Sequence, residues 1–197
     1  MKSQDFKECV AEWLKLQKAG EAKEAKEYYY ANLFDNVIKQ FNAREKGSMD
    51  EPVDVLFSIL GFSPEPIVLG AKLLQPKTHI IIQDMQVSQN VENAKVISKY
   101  LPGSVIVTLQ DESFSCIYDT LKEQLTLHPG RGYAINITGG KKSMAASAGV
   151  FARDFNCSLI YIDYDSYDPD TRRPLPGSEK LSIVYSPKRD IPDLFHK

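Results

Sequence analysis

The chain has 197 residues, enough for one domain with an appendage, and its 43% hydrophobic and 25% charged content is typical of a globular protein. A formal net charge of −2 argues against a protein that coats nucleic acid or lies on an anionic membrane. The three cysteines are far apart without CxxC spacing, which argues against a disulfide scaffold or a zinc site and fits a cytoplasmic protein. We expect no signal peptide and no membrane-spanning segment, because no apolar run is long enough.

The first 41 residues predict two amphipathic helices. Phe6, Cys9, Val10 and Trp13 follow the helical spacing, and Gly20 interrupts the pattern before a second helix begins. The polar stretch 42–52 is typical of a linker. We therefore predict an N-terminal amphipathic helical extension at 1–47 and a separate domain at 48–197.

From residue 53 onward, strands alternate with helices. The apolar run 53–60 predicts a buried parallel strand, and five more strands are predicted at 78–83, 104–109, 133–137, 159–163 and 181–185. Helical patterns separate the first five strands, whereas the last two are joined by a polar loop, which predicts an antiparallel hairpin at the sheet edge. The fold class is therefore α/β: a Rossmann-like, mostly parallel sheet of about six strands flanked by helices, with an N-terminal helical extension.

The most informative loop is Thr138-Gly139-Gly140-Lys141-Lys142, between the fourth strand and a helix of small residues. Paired glycines let the backbone approach a ligand, and the helix N-terminus offers N–H groups and a positive dipole end. The two lysines and the threonine hydroxyl would complete an anion cradle. The loop does not match G-x-x-x-x-G-K-[ST], which disfavours a nucleoside triphosphatase. A plain βα turn is the alternative, but two lysines beside a helix N-terminus oppose its dipole, which favours ligand binding.

A second loop, Gly61-Phe62-Ser63-Pro64-Glu65-Pro66, follows the first strand. It lacks G-x-G-x-x-G, which disfavours classical dinucleotide binding, and by itself it resembles a helix start capped by Ser63. In a 3-2-1-4 strand order, however, strands one and four are neighbours at the topological switch point. The two loops would then face each other across one crevice, which favours a shared site.

Other polar residues are weaker candidates. Gln83 and Asp84 follow the second strand and are placed to contact a base or a ribose. Four aspartates within 163–170 lack the glycine and terminal glutamate of a calcium loop, so we interpret them as a polar loop paired with Arg172 and Arg173. The three histidines, at 79, 128 and 196, show no ligand or triad spacing. We therefore predict no metal site and no classical catalytic triad.

The two loops resemble those of the CRISPR-associated Rossmann fold (CARF) domains of type III CRISPR immunity. The matching segments are Gly61 to Pro66 and Thr138 to Met144, and the strand–helix order from Val53 to Tyr185 agrees as well. The Lys141-Lys142 pair is a minor departure, since many relatives have threonine in place of one lysine. The resemblance implies a homodimer that binds a cyclic oligoadenylate second messenger across its two-fold axis and switches on an effector. Four phosphates and two-fold symmetry make cyclic tetra-adenylate the expected ring.

The resemblance also implies ligand-binding roles for residues of both loops and the end of the second strand. These residues are Gly61, Phe62, Ser63, Pro64, Glu65, Gln83, Asp84, Thr138, Gly139, Gly140, Lys141, Lys142 and Met144. The lysines would neutralise phosphates, the glycine amides would donate hydrogen bonds, and Phe62 or Met144 would pack against adenine. Ser63 and Glu65 would read a ribose or a base edge. No cofactor is expected besides the cyclic oligoadenylate ligand.

The leading interpretation is a sensing domain rather than an enzyme. The first alternative is a ring nuclease, in which Lys141, Lys142 and Ser63 would support metal-independent attack of a ribose 2′-OH on the neighbouring phosphate. The second is a sensor of another nucleotide or a transcription regulator, although we expect no direct DNA binding because a basic recognition helix is missing from the sequence.

The helical extension would serve in dimerisation or connect to an effector. An alternative to a purely cytoplasmic protein stays open: the chain could work with a fused or missing effector, or with a membrane anchor outside this chain.

Overall fold

The computed structural model describes residues 5–190 and divides into two compact units. One unit is the chain up to Lys46 together with Asp163–Lys180, and the other is Gly47–Ile162 together with the chain from Leu181. The boundary predicted between 1–47 and 48–197 stays a prediction. Residues 1–4 and 191–197, and with them His196, lie outside the described residues.

The first unit contains the predicted N-terminal helices and one feature that the sequence did not indicate. Its helices are α1 (Phe6–Lys18), α2 (Ala22–Tyr28) and α3 (Phe34–Glu45), and a π-helical turn at Tyr29–Leu33 joins α2 to α3. Gly20 has φ 78°, a left-handed conformation that ends the first helix as predicted. In the π turn, residues five apart lie above each other, and the rings of Tyr29 and Phe34 are 5.5 Å apart.

The aspartates of the 163–180 segment pair with lysines. The ion pairs are Lys18 with Asp168 (3.6 Å) and Asp170 (2.6 Å), and Lys180 with Asp165 (2.7 Å). The predicted pairing with Arg172 and Arg173 is wrong, because the tight turn between Asp168 and Arg173 leaves both arginines exposed.

The second unit contains most of a six-stranded sheet. The strands are β1 (Val55–Ile59), β2 (Thr78–Gln83), β3 (Val105–Thr108), β4 (Tyr133–Asn136), β5 (Ser158–Tyr164) and β6 (Glu179–Tyr185). The helices are α4 (Glu65–Leu74), α5 (Met85–Ser88), α6 (Val91–Tyr100), α7 (Phe114–Leu127), α8 (Lys142–Asp154) and α9 (Pro187–Asp190). The strand order is β3-β2-β1-β4-β5-β6, so the Rossmann-like α/β prediction is confirmed. β6 lies at the sheet edge beside β5 and the sheet is mixed, as the predicted hairpin requires.

The core of this unit follows from the alternation of side chains along buried strands. Val55, Phe57 and Ile59 of β1 are almost fully buried and pack in one cluster with residues of α7 and α8. The intervening Ser58 faces the other side, where its hydroxyl lies 2.9 Å from Nε2 of His79. Burial on both faces explains why the central strands are almost continuously apolar in sequence.

The pairing of β1 with β4 positions the two loops. The strands are parallel, with Val55 opposite Tyr133 and Ser58 opposite Asn136. Their carboxyl ends therefore meet at one edge of the sheet, and the loops that follow them start side by side. Within residues 5–190, none of the helices has the length and apolar content needed to cross a bilayer.

Candidate functional site

The loops after β1 and β4 touch backbone to backbone. A Cβ atom added at Gly61 would lie 2.7 Å from the amide nitrogen of Gly140, and one added at Gly139 would lie 2.6 Å from that of Gly61. Gly140 also has φ 78°, which favours glycine. Glycines at these positions therefore let the loops approach more closely than any other residue would.

A cavity of about 250 Å³ lies where the two loops meet. Its lining residues are Gly61, Phe62, Ser63, Pro66, Asp84, Val87, Thr138, Gly139, Gly140 and Lys141. Eight of the thirteen sequence-predicted site residues are thus brought together, from three separate segments of the chain. Pro66 and Val87 were not predicted; both are buried and form the apolar part of the wall.

The other five predicted residues lie outside this lining. Gln83 donates to the Thr108 hydroxyl at 3.2 Å and so faces β3. Pro64 is buried at the start of α4, and Glu65 is half-buried in its first turn. Lys142 is exposed as the first residue of α8. The structure places Met144 in the hydrophobic core, fully buried, so its side chain presents no surface to adenine here.

Asn136, which the sequence analysis did not identify, holds the two loops together through side-chain hydrogen bonds. Its side-chain amide donates to the Pro66 carbonyl at 3.1 Å, and its Oδ1 accepts from the backbone N–H and the hydroxyl of Thr138 at 3.0 and 2.7 Å. The Thr138 hydroxyl also accepts from the amide of Ile162 at 2.7 Å. The sequence analysis assigned the Thr138 hydroxyl to an anion cradle, but in the structure this hydroxyl already hydrogen-bonds with Asn136 and Ile162. The available sequence signal was an asparagine within the apolar predicted strand 133–137, three residues before the Gly-Gly pair.

Asn93 of α6 holds the other loop. It is 1% exposed, and its side-chain amide lies 3.4 Å from the Gly61 carbonyl and 3.2 Å from the Phe62 carbonyl. With its backbone anchored in this way, Phe62 points outward and its side chain is 76% exposed. Ser63 is exposed as well, and the N-cap of α4 is Pro64, so Ser63 does not cap the helix as predicted.

The N-terminus of α8 opens onto the cavity. Its N-cap is Lys141, and no side chain caps the helix. Within residues 5–190, the structure gives the amides of Gly139 and Gly140 no hydrogen-bond acceptor. Such amides, at the positive end of a 13-residue helix, are suited to an anionic ligand.

Lys141 is the cationic side chain that lines the cavity, and two carboxylates lie beside it. Its Nζ hydrogen-bonds with Glu112 of the β3–α7 loop and lies 3.8 Å from Oδ2 of Asp84. The hydrogen bond to Glu112, with further help from the Asp84 charge, raises the pKa of Lys141. The lysine therefore stays cationic at any physiological pH.

The chemistry available at this edge is that of anion and base recognition. The described residues contain no cluster of three His, Cys, Asp or Glu side chains able to hold a metal ion. What the cavity offers instead is backbone N–H groups, Lys141 beside the Asp84 carboxylate, one exposed hydroxyl and one exposed aromatic ring, with Lys142 exposed next to the lining. These groups match a ligand with phosphates, riboses and bases.

Comparison with known proteins gives one sequence relative and several structural neighbours. No protein-family model matches the chain. The chain is 33% identical over 93 residues to the CRISPR system endoribonuclease Csm6 of Thermus thermophilus. That match covers 45% of this chain and 20% of the relative, so the chain spans about a fifth of that protein's length.

The structural neighbours include two proteins solved with cyclic nucleotides. Can2 from Sulfobacillus thermosulfidooxidans, in complex with cyclic tetra-adenylate, has a TM-score of 0.50 and 19% identity over 68% of this chain and 38% of its own. Csm6 from Enterococcus italicus, bound to cyclic hexa-2′-fluoro-hexa-dAMP, has a TM-score of 0.46 and 16% identity over 57% and 34%. The sequence relationship with a part of Csm6 and the fold shared with Can2 support the resemblance of the two loops to CARF domains, and the Rossmann-like fold of this chain matches that of CARF structures.

Proposed function

We propose that this chain senses a cyclic oligoadenylate for a type III CRISPR accessory effector. The observation that supports this most is the backbone contact of Gly61 with Gly139 and Gly140, which joins the two loops into one cavity. That cavity lies at the switch point of the sheet, where open α/β folds bind ligands. The cyclic tetra-adenylate bound by Can2 supports the ligand class.

The cavity size supports a shared ligand and therefore a homodimer. At about 250 Å³, one cavity is smaller than the roughly 300–1,000 Å³ of pockets that enclose a whole small-molecule ligand. A ring of four nucleotides would thus extend beyond one copy of the site. An isologous dimer would supply two copies related by a two-fold axis, which is also the symmetry of cyclic tetra-adenylate.

Each group at the site then has a role. Lys141 and Lys142 neutralise phosphates, and the Gly139 and Gly140 amides donate to phosphate oxygens. The exposed Phe62 ring stacks on adenine, a role we assign to it rather than to the buried Met144. Ser63 offers its exposed hydroxyl to a ribose.

Calorimetric titration with cyclic tri-, tetra- and hexa-adenylate tests the proposal. We expect tight binding of cyclic tetra-adenylate at one ring per two chains. No heat with any of the three rings would refute the sensor function. Recovery of the intact ring after incubation is expected of a sensor, whereas a linear product would favour the ring nuclease.

A double variant tests the site itself. Lys141→Ala with Lys142→Ala should weaken ring binding by about 100-fold for each loop that the ring engages, and by about 10,000-fold for two, because each lysine contributes roughly 1.5 kcal/mol or more in a charge-assisted contact. Lys23→Ala with Lys26→Ala is the matched control, since it removes the same charge from exposed positions of α2. Unchanged affinity in a folded Lys141/Lys142 variant would contradict the site assignment.

A further inference from the structure

Glu112 connects the loop after β3 to the lysine of the candidate site. Its carboxylate hydrogen-bonds with Lys141 Nζ, and Asp84 Oδ2 lies 3.8 Å from the same nitrogen. The three side chains follow three neighbouring or nearby strands, β2, β3 and β4. The lysine charge is therefore already neutralised by two carboxylates that belong to the protein.

The two carboxylates differ in how firmly they are held. Asp84 is 6% exposed and caps α5, with Oδ1 accepting from the Val87 amide at 2.7 Å. The Glu112 side chain is 36% exposed and sits on a loop. Because the Asp84 carboxylate is held by its hydrogen bond to the Val87 amide, Glu112 is the partner that can turn away from Lys141.

A phosphate and Glu112 would compete for the same ammonium group. The ammonium group has three N–H donors, so the competition is electrostatic: a phosphate oxygen within hydrogen-bond distance of Nζ would lie close to the Glu112 carboxylate, and two anions so close to each other repel. We infer that Glu112 sets the ligand affinity of this site by competing with ligand phosphate for Lys141, so that binding displaces it. This inference rests on the proposed function.

Displacement of Glu112 would also affect the hydrogen bonds at the start of α7. The neighbouring Asp111 accepts from the Ser113 amide at 2.7 Å, and Ser113 caps α7 by accepting from the Cys116 amide at 3.2 Å. Glu112 thus lies between the two residues that form the start of this helix. Its position makes the first turn of α7 the element that responds to an occupied site.

Glu112→Gln tests the inference because glutamine keeps the shape and removes the charge. An exposed ion pair typically contributes about 0.7 kcal/mol, so we expect about threefold tighter binding of cyclic tetra-adenylate for each loop that the ring engages, and about tenfold for two. Glu12→Gln is the control, because it changes the net charge equally and breaks a surface pair with Lys15 at 2.9 Å. In a Lys141→Ala background, Glu112→Gln should have no effect.

Two results would overturn the inference. Equal affinities of the Glu112→Gln and Glu12→Gln variants would show that no competition takes place, and weaker binding by Glu112→Gln would show that Glu112 itself holds the ligand. Hydrogen exchange supplies a second readout: the amides at the start of α7 should exchange faster in Glu112→Gln than in Glu12→Gln.

Inorganic triphosphate, titrated as a second probe, separates this inference from the proposed function. If no ring binds but triphosphate does, and Glu112→Gln tightens it about threefold, the proposed function fails and the inference stands. If the ring binds equally well to Glu112→Gln and Glu12→Gln, the inference fails and the proposed function stands. If neither probe binds any variant, both are refuted.

Discussion

Gly139→Ala adds a single methyl group at the contact between the two loops, and the structure predicts a large effect from it. The new Cβ would lie 2.6 Å from the Gly61 amide nitrogen and closer still to the Ile59 carbonyl oxygen. Ordinary contacts of this kind begin at 3.4 Å, so the backbone of the first loop would have to move by at least 0.8 Å to clear the Gly61 amide. Gly139 does not have a positive φ, so the effect is steric rather than conformational.

The expected cost is about 3 kcal/mol, the upper end for overpacking, because backbone rather than a flexible side chain has to yield. For a chain of this size, that corresponds to a fall in Tm of roughly 6–12 °C. Moving the first loop would also open the cavity and abolish ring binding.

Gly149→Ala is the matched control, measured by urea denaturation followed by circular dichroism. Gly149 lies inside α8, and an added Cβ would meet no heavy atom within 4 Å. Alanine there should stabilise the protein by about 0.5–1 kcal/mol, because it restricts the unfolded chain and favours helix. If Gly139→Ala unfolds at the same urea concentration as the original protein, the two loops do not make the contact described.

Two further predictions concern buried polar side chains. Burial lowers the pKa of His79 to about 4, against 6.5 for an unperturbed histidine, so the folded protein resists a proton that the unfolded chain accepts. The stability that this pKa difference provides is fully present above pH 6.5 and is lost as the pH falls toward 4, by up to about 3 kcal/mol. When the free energy of unfolding is measured against pH, it should depend less on pH in His79→Gln than in the original protein, whereas His128→Gln should leave the dependence unchanged. Asn136→Ala should lower the free energy of unfolding by about 3 kcal/mol, because it leaves the Pro66 carbonyl and the Thr138 hydroxyl without their buried partner. Asn36 is exposed, so Asn36→Ala should change the free energy of unfolding by no more than about 0.5 kcal/mol in the same measurement.

Much of the fold could be predicted because its elements are encoded locally. Strand β2 occupies the predicted range 78–83, and α7 is one of the helices predicted between the first five strands, since apolar periodicity alone identifies such elements. The structure has the 3-2-1-4 strand order on which the prediction of neighbouring loops after β1 and β4 depended. The π-helical turn at Tyr29–Leu33 could not be predicted, because one extra residue in a helical turn leaves the apolar pattern almost unchanged.

The candidate site, like the fold, was predicted from the sequence only in part. The sequence by itself determined where glycines, lysines and an aromatic residue occur, and the alternation of strands and helices that predicts a Rossmann-like sheet. Only the tertiary structure decided which side chains are free to meet a ligand: Met144 turns into the core, the Thr138 hydroxyl is taken by Asn136 and Ile162, and Lys141 is held by Glu112. The physical reason is that a side chain's hydrogen bonds and ion pairs are made with partners far away in sequence, and their positions exist only once the sheet has formed.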